Sequence, residues 1–263
     1  MALKFCITGD PGQGKSLLAL SAVELGPLAL ADTEYRYDWY LDKTEDSATS
    51  YRVKKHVCEL LGLTYPSATV YRFASQDLGD IKAFFKRASE KPEIMTLVHD
   101  SASVTWDLLQ DAADDRLPGG LKWAGPKRIM RRTQYDFLKA QKHYICIGHL
   151  RKLYDKDMNV VGEKPWIEGA TSTSMQHWFD IIAKVQMVNA VPRLIIMKET
   201  TAGLVKVGQV IDNPRFKQLI ELIGTGPTVT VDLNKLDADK IEDEIREDMK
   251  ATVESSHPAD KKR

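Results

Sequence analysis

Along the first half of the chain, short apolar runs alternate with longer segments in which apolar residues recur at helical spacing. Residues 3–8 form an apolar run of strand length, followed by a Gly/Pro-rich turn and by residues 16–25, whose leucines and alanines favour a helix. Residues 27–31 read as a second strand, 51–61 as a helix closed by Gly62, and 69–73 as a strand. An amphipathic helix over 78–89 and an apolar strand over 94–98 follow. Then come a helix over 104–113, a Gly/Pro-rich stretch over 117–126, a basic helix over 127–141 and a strand over 144–148. Strands alternating with helices, and mostly too far apart for hairpins, imply an α/β fold with a mostly parallel sheet flanked by helices on both faces. From 180 to about 210 the pattern changes to successive strands with few helix signals, which predicts additional late edge strands. The organisation expected is a core over residues 1–223 and a charged C-terminal extension over 224–263, partly helical or disordered. Within it, residues 237–254 hold eight acidic and three basic side chains.

Composition narrows the partners. The 263 residues carry 37 Lys+Arg against 37 Asp+Glu, so no global charge draws the chain to nucleic acid or membrane, and any nucleic-acid contact must be local. A hydrophobic content of 43% excludes disorder as the main state. The most apolar stretch, 17–31, is interrupted by Ser21, Glu24 and Pro27 and falls short of the roughly 20 residues a membrane span needs. Residues 1–7 contain Lys4 and lead directly into Thr8 and Gly9, without the apolar region of a secretory signal, so the expected location is the cytoplasm. Cys6, Cys58 and Cys146 form no CxxC pair and sit among apolar residues, as inert core thiols do.

The decisive chemistry lies between the first strand and the first helix. Gly9-Asp10-Pro11-Gly12-Gln13-Gly14-Lys15-Ser16 matches GxxxxGK[ST] in full, with Leu17 continuing into the helix. Glycines let the backbone curl so that several N–H groups face phosphate oxygens, the helix N-terminus adds positive potential, Lys15 reaches the β/γ-phosphates and the Ser16 hydroxyl ligates Mg²⁺. ATP and Mg²⁺ are therefore the expected ligands. Such a site needs a carboxylate at the end of a nearby buried strand, and Asp100, closing the strand that includes Ile94 and Val98, supplies one. The alternative for Asp100 is an N-cap of the next helix. Asp32 and Glu34 stand at the end of the second strand, where Glu34 either polarises the water attacking the γ-phosphate or is an ordinary surface acid. His149 ends the strand over 144–148 at the same edge, as a γ-phosphate sensor or as a structural histidine.

Together these features resemble the RecA core, particularly the small phage recombination and DNA-metabolism ATPases, over roughly residues 3–200. The resemblance implies that Lys15 and Ser16 serve phosphate and Mg²⁺, that Asp100 is the Walker B acid and that Glu34 is the catalytic base. His149 stands where RecA carries its γ-phosphate-sensing Gln. A late strand in such proteins supplies basic residues to a neighbouring subunit's phosphate; here it offers Lys198, with Thr200 at the second basic position. Two DNA-holding loops are implied, over 114–126 with Lys122 and Trp123, and over 151–169 with Arg151, Lys152, Lys156, Lys164 and Trp166. The implied partners are single-stranded DNA, further copies of the chain in a ring or filament, and phage recombination or replication proteins, in the host cytoplasm if the chain is phage-encoded. Two other readings stay open: a P-loop kinase of nucleotide type, and a non-catalytic nucleotide-gated adaptor such as a helicase loader or packaging accessory factor.

Overall fold

A computed structural model describes residues 2–45, 48–113, 121–167, 178–201 and 205–224. Its elements are β1 (Lys4–Thr8), α1 (Lys15–Leu20) continued by a 3-10 turn (Ser21–Leu25), β2 (Leu28–Asp32), β3 (Leu41–Lys43), β4 (Ser50–Val53), α2 (Lys55–Leu61) and β5 (Val70–Ala74). Then follow α3 (Leu78–Glu90), β6 (Thr96–Asp100), α4 (Ala102–Asp111), α5 (Leu121–Lys139), β7 (His143–Tyr154), β8 (Val160–Trp166), β9 (Ile181–Val188), β10 (Val191–Glu199), β11 (Val210–Asp212) and α6 (Phe216–Gly224).

The strands form one mixed sheet in the order β11-β10-β9-β1-β7-β6-β2-β5-β4-β3, with β8 paired to β7. From β9 through β5 every neighbouring pair is parallel, and both edges are antiparallel. The strand before the glycine-rich loop, β1, is thus separated from the acid-bearing β6 by β7. Period-two alternation sorts the strand side chains onto two cores. Phe5, Ile7, Leu28, Leu30, Ile145 and Ile147 pack with α1, α2 and α6. Cys6, Ala29, Ala31, Tyr144 and Cys146 face α3, α4 and α5. All three cysteines are buried and free. Among the described residues no helix is long and apolar enough to cross a membrane.

The structure departs from the pattern reading in three places. Residues 51–61 are not one helix: Ser50 and Tyr51 pair with β5, Leu41 to Lys43 pair with Tyr51 to Val53, and Lys54 turns the chain before α2 begins. The helix expected from 127 starts at Leu121 and runs through Gly125 and Pro126. The second basic segment is a β-hairpin and not a loop, because β7 extends past the sheet and β8 returns along it, from His149↔Trp166 to Tyr154↔Val160. The acidic stretch 237–254 and residues 114–120 and 168–177 lie outside the described residues.

Candidate functional site

The glycine-rich loop leaves β1 and enters α1 at the carboxyl edge of the sheet. Gly9 has φ 151°, and a Cβ there would stand 2.4 Å from the Val185 carbonyl oxygen of β9, so only glycine fits the close approach. Gly14 adopts left-handed geometry (φ 88°) at the N-terminus of α1. The Lys15 ammonium donates to the Gly9 and Asp10 carbonyls, at 2.8 Å each, and stays inside the curl of the loop. Burial lowers its pKa, opposed by the nearby carboxylates of Asp100, Glu34 and Asp10. The loop is also tied to β9, where the Met187 N–H donates to the Gln13 side-chain oxygen at 2.5 Å.

Asp100 meets this loop from β6. Its Oδ2 accepts from Ser16 Oγ at 2.6 Å and from the Tyr37 hydroxyl at 2.7 Å. Burial pushes its pKa up to about 6 although both hydrogen bonds oppose the rise. The N-cap alternative falls to the next residue, since Ser101 Oγ accepts from the Val104 N–H at the start of α4. A hydroxyl and a carboxylate in contact are the hard oxygen donors that Mg²⁺ prefers. Ser16 and Asp100 would hold it, with the phosphates on the loop N–H groups and Lys15. When bound, Mg²⁺ neutralises charge on the phosphate oxygens.

The two acids at the end of β2 have different fates. Asp32 is fully buried and ion-paired with Arg72 at 2.7 Å, and it also accepts from the backbone N–H groups of Arg36 and Tyr37. It shapes the turn and does not face the loop. Glu34 lies between two bases: its Oε1 is 3.2 Å from His149 Nε2 and its Oε2 is 3.2 Å from Arg36 Nε. The His149 hydrogen bond, above all, holds its pKa at about 2. Thr33 fastens the two strand ends together, its N–H donating to the Asp100 carbonyl and its Oγ1 accepting from the Ser101 N–H, both at 2.7 Å. Lys15, Ser16, Glu34, Asp100 and His149, expected on different segments, are thereby gathered at one edge.

The remaining expected residues are distributed differently. Lys198 pairs in register with Ile182, near the amino end of β9 and so at the opposite end of the sheet from the loop, and its ammonium donates to the Phe179 carbonyl. Lys122 and Trp123 lie in the first turn of α5, with the ammonium 4.7 Å from the indole centroid. Arg151 and Lys152 are exposed on β7, and Lys164 faces Arg151 from β8. Trp166 is partly buried: its indole N–H donates to Asp107 of α4 at 2.8 Å, and the Arg151 guanidinium covers one ring face at 4.1 Å. Three neighbours of the site carried no sequence signal of their own. Tyr37 and Thr33 depend on the fold of the turn after β2. Ser103 Oγ joins the His149 N–H to the Trp166 carbonyl. Arg36 was detectable as a base two positions from Glu34.

The family model of the AAA domain matches residues 1–209. The chain belongs to this family. Its AAA domain is a P-loop ATPase domain of nucleotide-binding type, and the match spans the glycine-rich loop, both acidic strand ends and β10. A comparison with curated proteins finds no match.

Proposed function

We propose that the chain is a RecA-like ATPase that hydrolyses Mg·ATP to cycle its grip on single-stranded DNA, in phage-type recombination, annealing or replication, as a ring, filament or DNA-dependent oligomer. The observation that carries the reading is the split of the two acids between adjacent parallel strands, Asp100 on β6 against Ser16 and Glu34 after β2 against His149. In this reading one acid serves the cation and the other the water. Glu34 accepts a hydrogen bond from the water that attacks the γ-phosphorus, and the β–γ phosphoanhydride bond breaks. His149 links that carboxylate to the β7–β8 hairpin, so a strand of DNA lying along Arg151, Lys152 and Lys164 is coupled to the chemistry.

Phosphate release measured with and without single-stranded DNA tests this reading, with Lys15→Ala as the blank. Stimulation by DNA is the expected result, and Glu34→Gln should keep ATP binding while lowering turnover by about 10²–10⁴-fold, the usual worth of a general base. Equal turnover in Glu34→Gln would return Glu34 to the role of a surface acid. The grip of His149 and Arg36 on Glu34 also favours a second reading, a nucleotide-gated adaptor with slow hydrolysis, which predicts turnover indifferent to DNA.

A further inference from the structure

Charge spreads over the γ-phosphate oxygens as the β–γ bond breaks, and cations beyond the metal ion and the loop lysine stabilise it. Lys198, which the resemblance implies for this task, lies at the opposite end of the sheet. Among the described residues, Lys184 stands nearer, in register with Thr8, but Glu163 of β8 holds it at 2.5 Å, and His149 is a cation only when protonated. Arg36, two positions after Glu34, is better placed, because the carboxylate that holds it belongs to the site itself.

The backbone of Arg36 is anchored and its tip is not. Its N–H and that of Tyr37 donate to Asp32, which is buried and paired with Arg72. Tyr35, between Glu34 and Arg36, takes left-handed geometry (φ 56°), uncommon for a residue with a Cβ, so those contacts hold the turn against its local preference. The Arg36 side chain is 70% exposed, with Nε 3.2 Å from Glu34 Oε2. An ion pair this open is weak and is readily exchanged for a stronger anion. Arg36 also lies within electrostatic reach of the phosphate-binding lysine: burial, above all, lowers the Lys15 pKa against the nearby carboxylates, and Arg36 adds to the lowering. While the pair lasts, both oxygens of Glu34 are engaged, Oε1 by His149 and Oε2 by Arg36.

We propose that Arg36 is a catalytic residue that exchanges Glu34 for the γ-phosphate when ATP binds, an inference that rests on the ATPase reading above. The γ-phosphate carries more charge than one carboxylate, and the planar guanidinium fork meets two of its oxygens at once. Its departure uncovers Glu34 Oε2 for the attacking water while His149 keeps Oε1. Water is thereby activated only when a γ-phosphate is in place. With ADP, Arg36 stays on Glu34.

Titration calorimetry of the full chain with Mg²⁺ and either ADP or the β,γ-methylene analogue of ATP tests the exchange, in wild type, Arg36→Ala, Glu34→Gln and the double variant. Arg36→Ala should weaken the analogue about tenfold or more, the worth of a charge-assisted hydrogen bond, and ADP by less than about twofold. The loss for the analogue should persist at about tenfold in the Glu34→Gln background, where no carboxylate is left for Arg36 to act through. A loss that vanishes in that background would overturn the proposal and leave Arg36 acting through Glu34 alone. A loss for ADP equal to that for the analogue would overturn it in favour of a role in the shape of the loop, and no loss with either nucleotide would return Arg36 to a surface ion pair. Wild type that binds neither nucleotide would refute the ATPase reading itself, which separates the two failures.

Discussion

The inner half of β7, residues 143–148, and its outer half, residues 149–154, are one strand in two surroundings. Tyr144 to Ile147 are fully buried, hydrogen-bonded to β1 on one side and β6 on the other, and covered by a core on each face. Beyond Gly148 the strand keeps one partner, β8, and Arg151, Lys152 and Tyr154 are exposed. A strand held on four sides is fixed. A strand held on one side is fixed less firmly, here by β8 and by the hydrogen bond from Trp166 to Asp107. His149 sits at the joint between them, its backbone on Ser103 and its ring on Glu34. A displacement of the hairpin therefore reaches the acid through a single side chain, while Asp100, locked to β2 through Thr33, stays in place.

The contrast is tested most strongly by truncating each half. Ile145→Ala, in the inner half, should cost about 2–5 kcal/mol in urea denaturation, the range for a large-to-small change in a packed core. Val161→Ala, on the outer hairpin and 63% exposed, should stay within about 0.5 kcal/mol. Similar losses at both positions would mean that the hairpin is packed as firmly as the sheet.

Next in size is a pH effect confined to the inner half. His99 on β6 stands in register with Cys146, fully buried, with Nε2 at 2.9 Å from Thr105 Oγ1, and burial drives its pKa down to about 3. Below the ordinary value near 6.5 the unfolded chain takes up a proton that the folded chain refuses, so His99 stabilises the fold above that pH and the contribution is lost as pH falls toward 3. His143, lowered to about 4, acts in the same direction. The stability difference between wild type and His99→Gln should shrink by roughly 3 kcal/mol from pH 7 to pH 4, at about 1.4 kcal/mol per unit. Because the other titrating groups are common to both proteins, a pH-independent difference would contradict a neutral buried histidine.

The joint itself gives a smaller effect. Trp166→Phe keeps a ring for Arg151 and removes the N–H that Asp107 accepts, which should lower stability by about 1 kcal/mol, the net worth of one hydrogen bond. Trp166 belongs to the segment that the resemblance implies as DNA-holding. With one face under Arg151 and its edge on α4, it anchors the hairpin to the body of the protein.

How much of this was legible in the sequence follows the same division. The run containing Ile145 and Ile147 reads as a strand because a parallel strand covered on both faces is continuously apolar. The glycine-rich loop is legible because its chemistry fixes both residue types and spacing. β8 is not, since Gly162 and Pro165 look like strand breakers and are tolerated only because this strand lies at an edge. The separation of Asp32 from Glu34 could not be read either. It depends on Arg72, forty positions away, which the pairing of β2 with β5 brings against Asp32. The split of 51–61 into β4 and α2 depends likewise on partners in β3 and β5.

The outer half should yield the smallest change in stability and the clearest change in binding. Arg151, Lys152 and Lys164 changed together to Ala remove three cations from a one-sided hairpin and one cation–π contact, at about 1 kcal/mol or less. If a single strand lies along them, each lost phosphate contact removes one counterion-release contribution of about 0.7, so the slope of log K against log salt should flatten by about 2. The affinity loss is then largest at low salt and fades as salt rises. A parallel loss at every salt concentration would place the damage in the hairpin's shape and not in its charge, and the Trp166→Phe protein would share it. Unchanged affinity and slope would take DNA off the hairpin altogether and favour the adaptor reading, in which His149 reports the state of Glu34 to a protein partner.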